Sequence, residues 1–577
     1  MVILGIDLGT TNSAMAYYND GKAEIVVNDL DERTTPSVYQ VKPNGEEIIG
    51  TAAKKGAATF PNNTVLEVKR LMGTGEMVKI EDREYRPEEI SSKFLRYLKD
   101  SAEMKLNTNI EEAVITVPAY FTDAQRKATK DAGELAGLKI ERIINEPTAA
   151  ALAFCHDNLD EDKHLLVYDL GGGTFDISVV ELFEGILTVQ SSVGDNELGG
   201  ADFDQELINM IHEEFEKQNG YEMESIASDK TMLYYTLKET AENSKIALSS
   251  QVETTVNIPF VGLKDNLPVS FSMSITRNAF SERIKPYIER TIEKLNQAVE
   301  EANLEIDDID EVLMVGGSTR VPAVQEAVEE IFGNKIRNDI NPDEVVAQGA
   351  AVQAALKSGQ IDSSRGLMAI DICPYTLGIE VSKRQDNGSI THGLFDPIIE
   401  KNTPIPVKNT KIYHTLVDNQ TDVHLKVYQG EDELVENNSL VSDQIYIRNI
   451  PPAPAGHERI EVTFHYDING LIHVEAVVIS TGERIQEVIE SQVGVMSKEE
   501  KMEAVERMEE EEQTSDAYDR AKKAIHRAEK LRASCSPEDQ ARLDEQVEML
   551  QKAIEDEDVR AIERNEQKLL DLLLEVM

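Results

Sequence analysis

The chain has no tryptophan and only three cysteines in 577 residues. Cys155, Cys373 and Cys535 are too few and too scattered for a disulfide framework or a metal cluster. No window approaches the ~18 uninterrupted apolar residues that cross a bilayer, so no membrane-spanning helix is expected. Cations are also scarce, with 58 Lys and Arg against 107 Asp and Glu and a formal charge of −49. Such a chain repels nucleic-acid phosphates and anionic membranes, which argues against non-specific binding to either. The opening Met1-Val2-Ile3-Leu4-Gly5-Ile6-Asp7 lacks a basic leader and a small-residue cleavage site, and reads as a buried strand rather than a signal peptide. Together these absences predict a soluble cytoplasmic protein.

The hydrophobic fraction, 41%, can fill a packed core nearly throughout, and the length predicts several domains. Up to about residue 360, short apolar runs such as Ala113 to Val117, Leu165 to Tyr168 and Val312 to Val315 alternate with amphipathic helical stretches. That pattern predicts α/β architecture with central strands buried on both faces. From 371 to about 490 the period becomes two, as in Ile460-Glu461-Val462-Thr463-Phe464. A turn at Asp467 to Gly470 and a second strand over Ile472 to Val478 predict an antiparallel β domain. Beyond it, Ser497-Lys498-Glu499-Glu500 fits a capping box, and Leu531, Leu543, Val547, Leu550 and Ile554 mark helices broken near Pro537. The acidic run Glu509 to Glu512 reads as a solvated helix face, and the C-terminal stretch as a small helical bundle.

One motif occurs twice. Asp7-Leu8-Gly9-Thr10-Thr11 recurs as Asp169-Leu170-Gly171-Gly172-Gly173-Thr174, with Asp176 beyond it, and each copy follows an apolar strand. Glycine lets a hairpin turn tightly enough for backbone N–H groups to face phosphate oxygens, and threonine hydroxyls add donors. The aspartates would repel phosphate but can position Mg²⁺. Either copy alone could be an ordinary strand-to-hairpin turn; two predict related lobes facing one phosphate chain. No Gly-x-x-x-x-Gly-Lys-Ser/Thr occurs, which excludes the P-loop class. A third glycine turn, Gly316-Gly317-Ser318-Thr319-Arg320, could be a strand-to-helix turn or a backbone approach to adenosine with Arg320 over the base. Asn341-Pro342-Asp343-Glu344 reads as a helix start.

With Val117-Pro118-Ala119-Tyr120-Phe121 and Asn145-Glu146-Pro147-Thr148-Ala149, these strings resemble the actin-like ATPases, and among them the DnaK-like seventy-kilodalton heat-shock chaperones. The resemblance covers nearly the whole chain. It implies a two-lobed actin-like ATPase domain (1–360), an interdomain linker (361–370), an antiparallel β-sandwich peptide-binding domain (371–494) and a short α-helical lid (495–577). ATP or ADP with Mg²⁺ would be the cofactors, and Asp7 and Asp169 would hold the metal through water. Lys69, Glu146, Asp169, Thr174 and Asp176 match catalytic positions. Gly9, Thr10, Thr11, Asn12, Gly171, Gly172, Gly173, Gly199, Gly200, Gly316, Gly317, Ser318, Arg320 and Asp343 match nucleotide-contacting ones. Glu242, Lys245 and Ser249, one helix face that would otherwise pass for a solvated ion-pair stripe, match an adenosine clasp.

Ile379, Tyr413, Val423 and Leu425 correspond to an apolar peptide cleft, and Ser382 and Leu416 to two residues arching over the peptide. Without the resemblance Ile379, Tyr413, Val423 and Leu425 each read as ordinary core. Pro118 and Arg126 match a switch that relays nucleotide state through Glu146. Arg142, Asn145, Thr148 and Asp371 match positions that meet a J-domain co-chaperone; unfolded client polypeptides and a nucleotide exchange factor are the other implied partners. Asp371 to Tyr375, Pro397 to Thr403 and Tyr466 to Leu471 look most like the bacterial HscC-type branch. Gly366 to Ile370 is less apolar than the family's linker, and the helical end is short, from which faster peptide exchange is expected. A sugar kinase would share the ATPase core without a β sandwich, and a filament-forming ATPase would end near residue 350.

Overall fold

The computed structural model describes residues 2–42, 45–81, 83–156, 162–337, 339–361, 367–385, 389–488, 496, 498–532, 537–555 and 559–576. The linker residues 362–366, the capping Ser497 and Cys535 lie outside these, as do the side chains of 509–512. The chain divides into two compact units, Met1–Gln40 with Ile48–Met496 and Val41–Glu47 with Ser497–Met577. No helix among the described residues is long and apolar enough to cross a membrane.

The repeated motif sits on a repeated topology. In one sheet the strand Ile3–Asp7 pairs in parallel with Glu112–Val117, which pairs in parallel with Lys139–Asn145; on its other side it pairs antiparallel with Asn12–Asn19. In a second sheet Lys163–Leu170 pairs in parallel with Glu311–Val315, then Ile336–Arg337, and antiparallel with Phe175–Phe183. Each motif therefore leaves the C-terminal end of the strand where parallel and antiparallel pairing meet, the usual place for a ligand in an α/β sheet. Apolar runs such as Leu165-Leu166-Val167-Tyr168, all fully buried, explain why these strands are central.

Two helices, Glu146–His156 and Val345–Ser358, cross behind the sheets in close approach. A Cβ on Gly349 would lie 1.7 Å from the Ala149 carbonyl oxygen, and one on Gly5 would lie 2.3 Å from the Ala351 nitrogen. The second sheet packs on helices Gly200–Asn219, Lys230–Ser250 and Arg277–Glu301 through a core that includes Tyr168, Phe175, Phe203, Phe215 and Phe280.

Two four-stranded antiparallel sheets follow. One runs Ile390–Ile399, Leu377–Arg384, Val423–Gln429, Ser439–Ile447; the other Val407–His414, Arg459–Tyr466, Ile472–Val478, Glu483–Val488. They share a core containing Ile379, Leu425, Ile445, Val462, Phe464 and Val474. Ile472–Val478 alternates between buried and half-buried residues, the period read from the sequence. In the second unit, helices Lys498–Arg532, Pro537–Glu555 and Val559–Val576 pack Ala517, Ala524, Leu543, Leu550, Ile562 and Leu569 into a common core.

Candidate functional site

The two glycine loops meet. A Cβ on Gly172 would lie 1.7 Å from Thr11 Oγ1, and one on Gly173 2.9 Å from Thr10 Cγ2, so only glycine permits the approach. Backbone bonds fix the second loop, with Gly171 N donating to Thr174 O, Gly200 N to Gly171 O and Ala201 N to Gly172 O. Ser37 holds the first, its Oγ donating to Gly9 O and its N to Thr11 O. At the third turn, Gly316 has φ +84° and lies against Leu170 O, where no side chain fits.

These loops line a cavity of about 570 Å³. Every residue proposed from the sequence for nucleotide or metal lines it, except Gly173, Asp176, Gly199 and Gly200. At one end Lys69, 5% exposed, donates from Nζ to Glu146 Oε1 at 2.7 Å. Asp7 lies nearby, with Thr116 Oγ1 donating to its Oδ1. Asp169 and Asp176 face each other as a cross-strand pair. Burial first, then the neighbouring Glu146 carboxylate, pushes Asp7 and Asp176 up to about 7 and Asp169 well above the carboxylate range. Asp176 Oδ1 is buried with no hydrogen-bond partner.

A buried all-oxygen donor set of this kind suits a hard divalent cation such as Mg²⁺, and the glycine cradle suits phosphate oxygens. At the other end Lys245 Nζ donates to Asp204 Oδ2 and Gly200 O, Glu242 accepts from Lys54 Nζ at 2.7 Å, and Arg320 is paired with Asp343 and Asn341. The sequence reading missed Lys54, Thr116 and Asp204. No motif surrounds them, and only the fold brings them in.

The proposed relay residues lie where the α/β part of the first unit meets its β sheets. Arg126 is buried, with Nη2 donating to Ala119 O and Nε to Phe121 O. Thr148 Oγ1 donates to Asp371 Oδ2, Arg142 Nη1 to Gln353 Oε1, and Asn145 is buried. Three further bonds join the same parts: Ile143 N to Asn469 Oδ1, Ile472 N to Asp123 Oδ1, and Tyr375 O–H to Tyr120 O. Lys401 and Asn402 both reach Glu301. Met368–Ile370, read from the sequence as linker, pairs in parallel with Ile186–Asp195 as the sixth strand of the second sheet.

Of the cleft candidates, Ile379 and Leu425 are buried in the core between the β sheets, and Tyr413 and Val423 pack against it half-buried. Tyr413 O–H donates to Asp396 Oδ2. Ser382 Oγ and His392 Nδ1 are 2.8 Å apart, and Arg384 Nη2 donates to Leu416 O at 3.4 Å.

Paired glycine loops over a lysine and four carboxylates, three of them buried, have the chemistry that suits a polyphosphate with its cation. A family model described as Hsp70 protein matches residues 3–79 and 74–576. The chain belongs to the Hsp70 family. Membership implies an ATP-dependent chaperone: members are ATPases that bind nucleotide with Mg²⁺ and, in general, unfolded clients and J-domain co-chaperones.

Proposed function

We propose that the chain is an ATP-hydrolysing clamp for extended apolar segments of unfolded polypeptide, of the HscC-type branch and acting in the cytoplasm. The observation that carries this reading is the convergence of Asp7, Lys69, Glu146, Asp169 and Asp176 from separate segments behind matched Gly/Thr loops. In this reading 1–360 is an actin-like ATPase domain, 361–370 a linker, 371–494 a peptide-binding sandwich and 495–577 a lid.

Backbone N–H groups of the loops, with Thr10, Thr11 and Thr174, hold the phosphates, while Glu242, Lys245, Ser249 and Arg320 hold adenosine. Asp7 and Asp169 would hold Mg²⁺ through water, and the cation supplies positive charge against the phosphates. Lys69, fixed by Glu146, orients the attacking water and neutralises charge as the new O–P bond forms and the bond to ADP breaks. Asp176, with one unpaired oxygen and a pKa near 7, accepts the water's proton. Nucleotide state is relayed through Pro118, Arg126, Asn145 and Asp371 to a cleft of Ile379, Tyr413, Val423 and Leu425, arched by Ser382 and Leu416. A J-domain protein at Arg142, Asn145, Thr148 and Asp371 and an exchange factor complete the cycle.

Steady-state release of ADP and phosphate tests the assignment. Wild type should turn over ATP with Mg²⁺, and Thr174→Ala should lose about tenfold or more, as expected for one donor at the reacting phosphate. Phosphoryl transfer to a small-molecule hydroxyl in place of water would overturn the reading in favour of a kinase.

A further inference from the structure

A second cavity, of about 500 Å³, begins where the first one ends. Thr10, Lys69 and Thr174 line both. Arg70, Asn196 and Glu197 line the second and not the first, and Arg70 also borders a neighbouring cavity with Glu67 and Lys238. Resting on the reading of the first cavity as an ATP site, we propose that the second is the exit path of inorganic phosphate and that Arg70 is its anion-binding residue.

Cleavage leaves the phosphate at the Lys69 end. ADP, together with the bonded Gly171, Gly200 and Ser318 segment, then stands between it and the adenosine end of the cavity. The second cavity shares these side chains and is lined by none of Glu242, Lys245, Ser249 and Arg320, the residues assigned to adenosine. Arg70 follows Lys69 in the short 3₁₀ turn Val68–Leu71, so consecutive side chains serve the two cavities. Its guanidinium is under-used. Nη2 donates to Gly173 O at 3.2 Å, Glu67 Oε2 lies 3.5 Å from Nε, and Nε is buried with no hydrogen-bond partner.

A planar fork of five donors matches a phosphate dianion better than a carbonyl oxygen does. At the rim the charge reverses, where Glu197 is exposed and Asp202 holds Gly199 N. Arg70 attracts the anion, and the repulsion of Glu197 and Asp202 keeps it from being held tightly, so the cavity passes phosphate on rather than storing it.

The test uses the full chain in single turnovers, with cleavage read by acid quench and free phosphate read by a fluorescent phosphate-binding protein. Titration of inorganic phosphate into the ADP-bound protein is read in parallel. Arg70→Ala should delay release relative to cleavage and weaken phosphate binding by about tenfold, the loss of one charge-assisted pair. Arg70→Lys should restore part of both, and Glu197→Trp at the exposed rim should delay release by obstruction. Release that keeps pace with cleavage in both Arg70→Ala and Glu197→Trp, with phosphate affinity unchanged in Arg70→Ala, would overturn the proposal. Absence of ATP cleavage in wild type would overturn the ATPase reading and this proposal together, before any variant is compared.

Discussion

Replacing Lys69 with alanine should both destabilise the free protein and stop ATP cleavage, and the size of each effect follows from the site. Lys69 Nζ is the cation 2.7 Å from Glu146 in a region that also buries Asp169 and Asp176 and half-buries Asp7. Removing one partner of a buried pair costs about 3–5 kcal/mol. For the proposed domain 1–360, at about 2.1 cal/mol/K of unfolding entropy per residue, that is a fall of about 5 °C in Tm. The cost depends on pH. Asp7 and Asp176 sit near 7, raised from 3.8 by burial. The folded state therefore holds protons that the unfolded state has released, and stability falls as pH rises through that window.

Without Lys69 the same carboxylates have no cation, so the loss in Tm should be larger at pH 8 than at pH 6. Cleavage should drop by about 10²–10³, as for removal of a preorganised charge at the reacting group. Calorimetry at the two pH values and single-turnover cleavage test both. A Lys69→Ala protein with wild-type Tm at pH 8 and cleavage within a few-fold would refute the reasoning.

Gly199→Ala should weaken ADP binding by about tenfold or more, because its Cβ would lie 2.6 Å from Gly173 N and push the phosphate loop; equilibrium titration with a fluorescent ADP checks it. Glu301→Ala removes the acceptor of Lys401 and Asn402 and should favour separation of the β sheets from the α/β part, measured as faster hydrogen exchange in residues 399–403. Asp123, buried where Ile472 N meets it, sits near 7 by burial, opposed by the Ile472 N–H, Arg126 and Lys127. The docked arrangement then holds the extra proton and should loosen as pH rises from about 4 to 7, and Asp123→Asn should flatten that dependence in exchange at residues 469–472.

The sequence disclosed the repeat because glycine is obligatory where a side chain of one loop presses on the backbone of the other, as Thr11 does on Gly172. It disclosed the strands because Leu165 to Tyr168 are buried on both faces. What it hid is set by distance along the chain. Thr116 reaches Asp7 across 109 residues, and Asp204 meets Lys245 across 41, with no local pattern to mark either. That Met368–Ile370 of the proposed linker pairs as a strand was not legible, because three residues are too few for a period to register. Asp123 and Asn469 were silent for a related reason. An aspartate at a helix start and an asparagine in a turn are ordinary local choices, and their second partner comes from another part of the fold.

The central claim is that nucleotide cleavage answers to a peptide held in the proposed cleft of the β domain. Steady-state ATP turnover should be measured with and without an unfolded apolar peptide, in wild type and in Val423→Phe, which fills the proposed cleft. The account predicts stimulation by peptide in wild type, and loss of that stimulation in Val423→Phe with basal turnover kept. Equal stimulation of both proteins would contradict it.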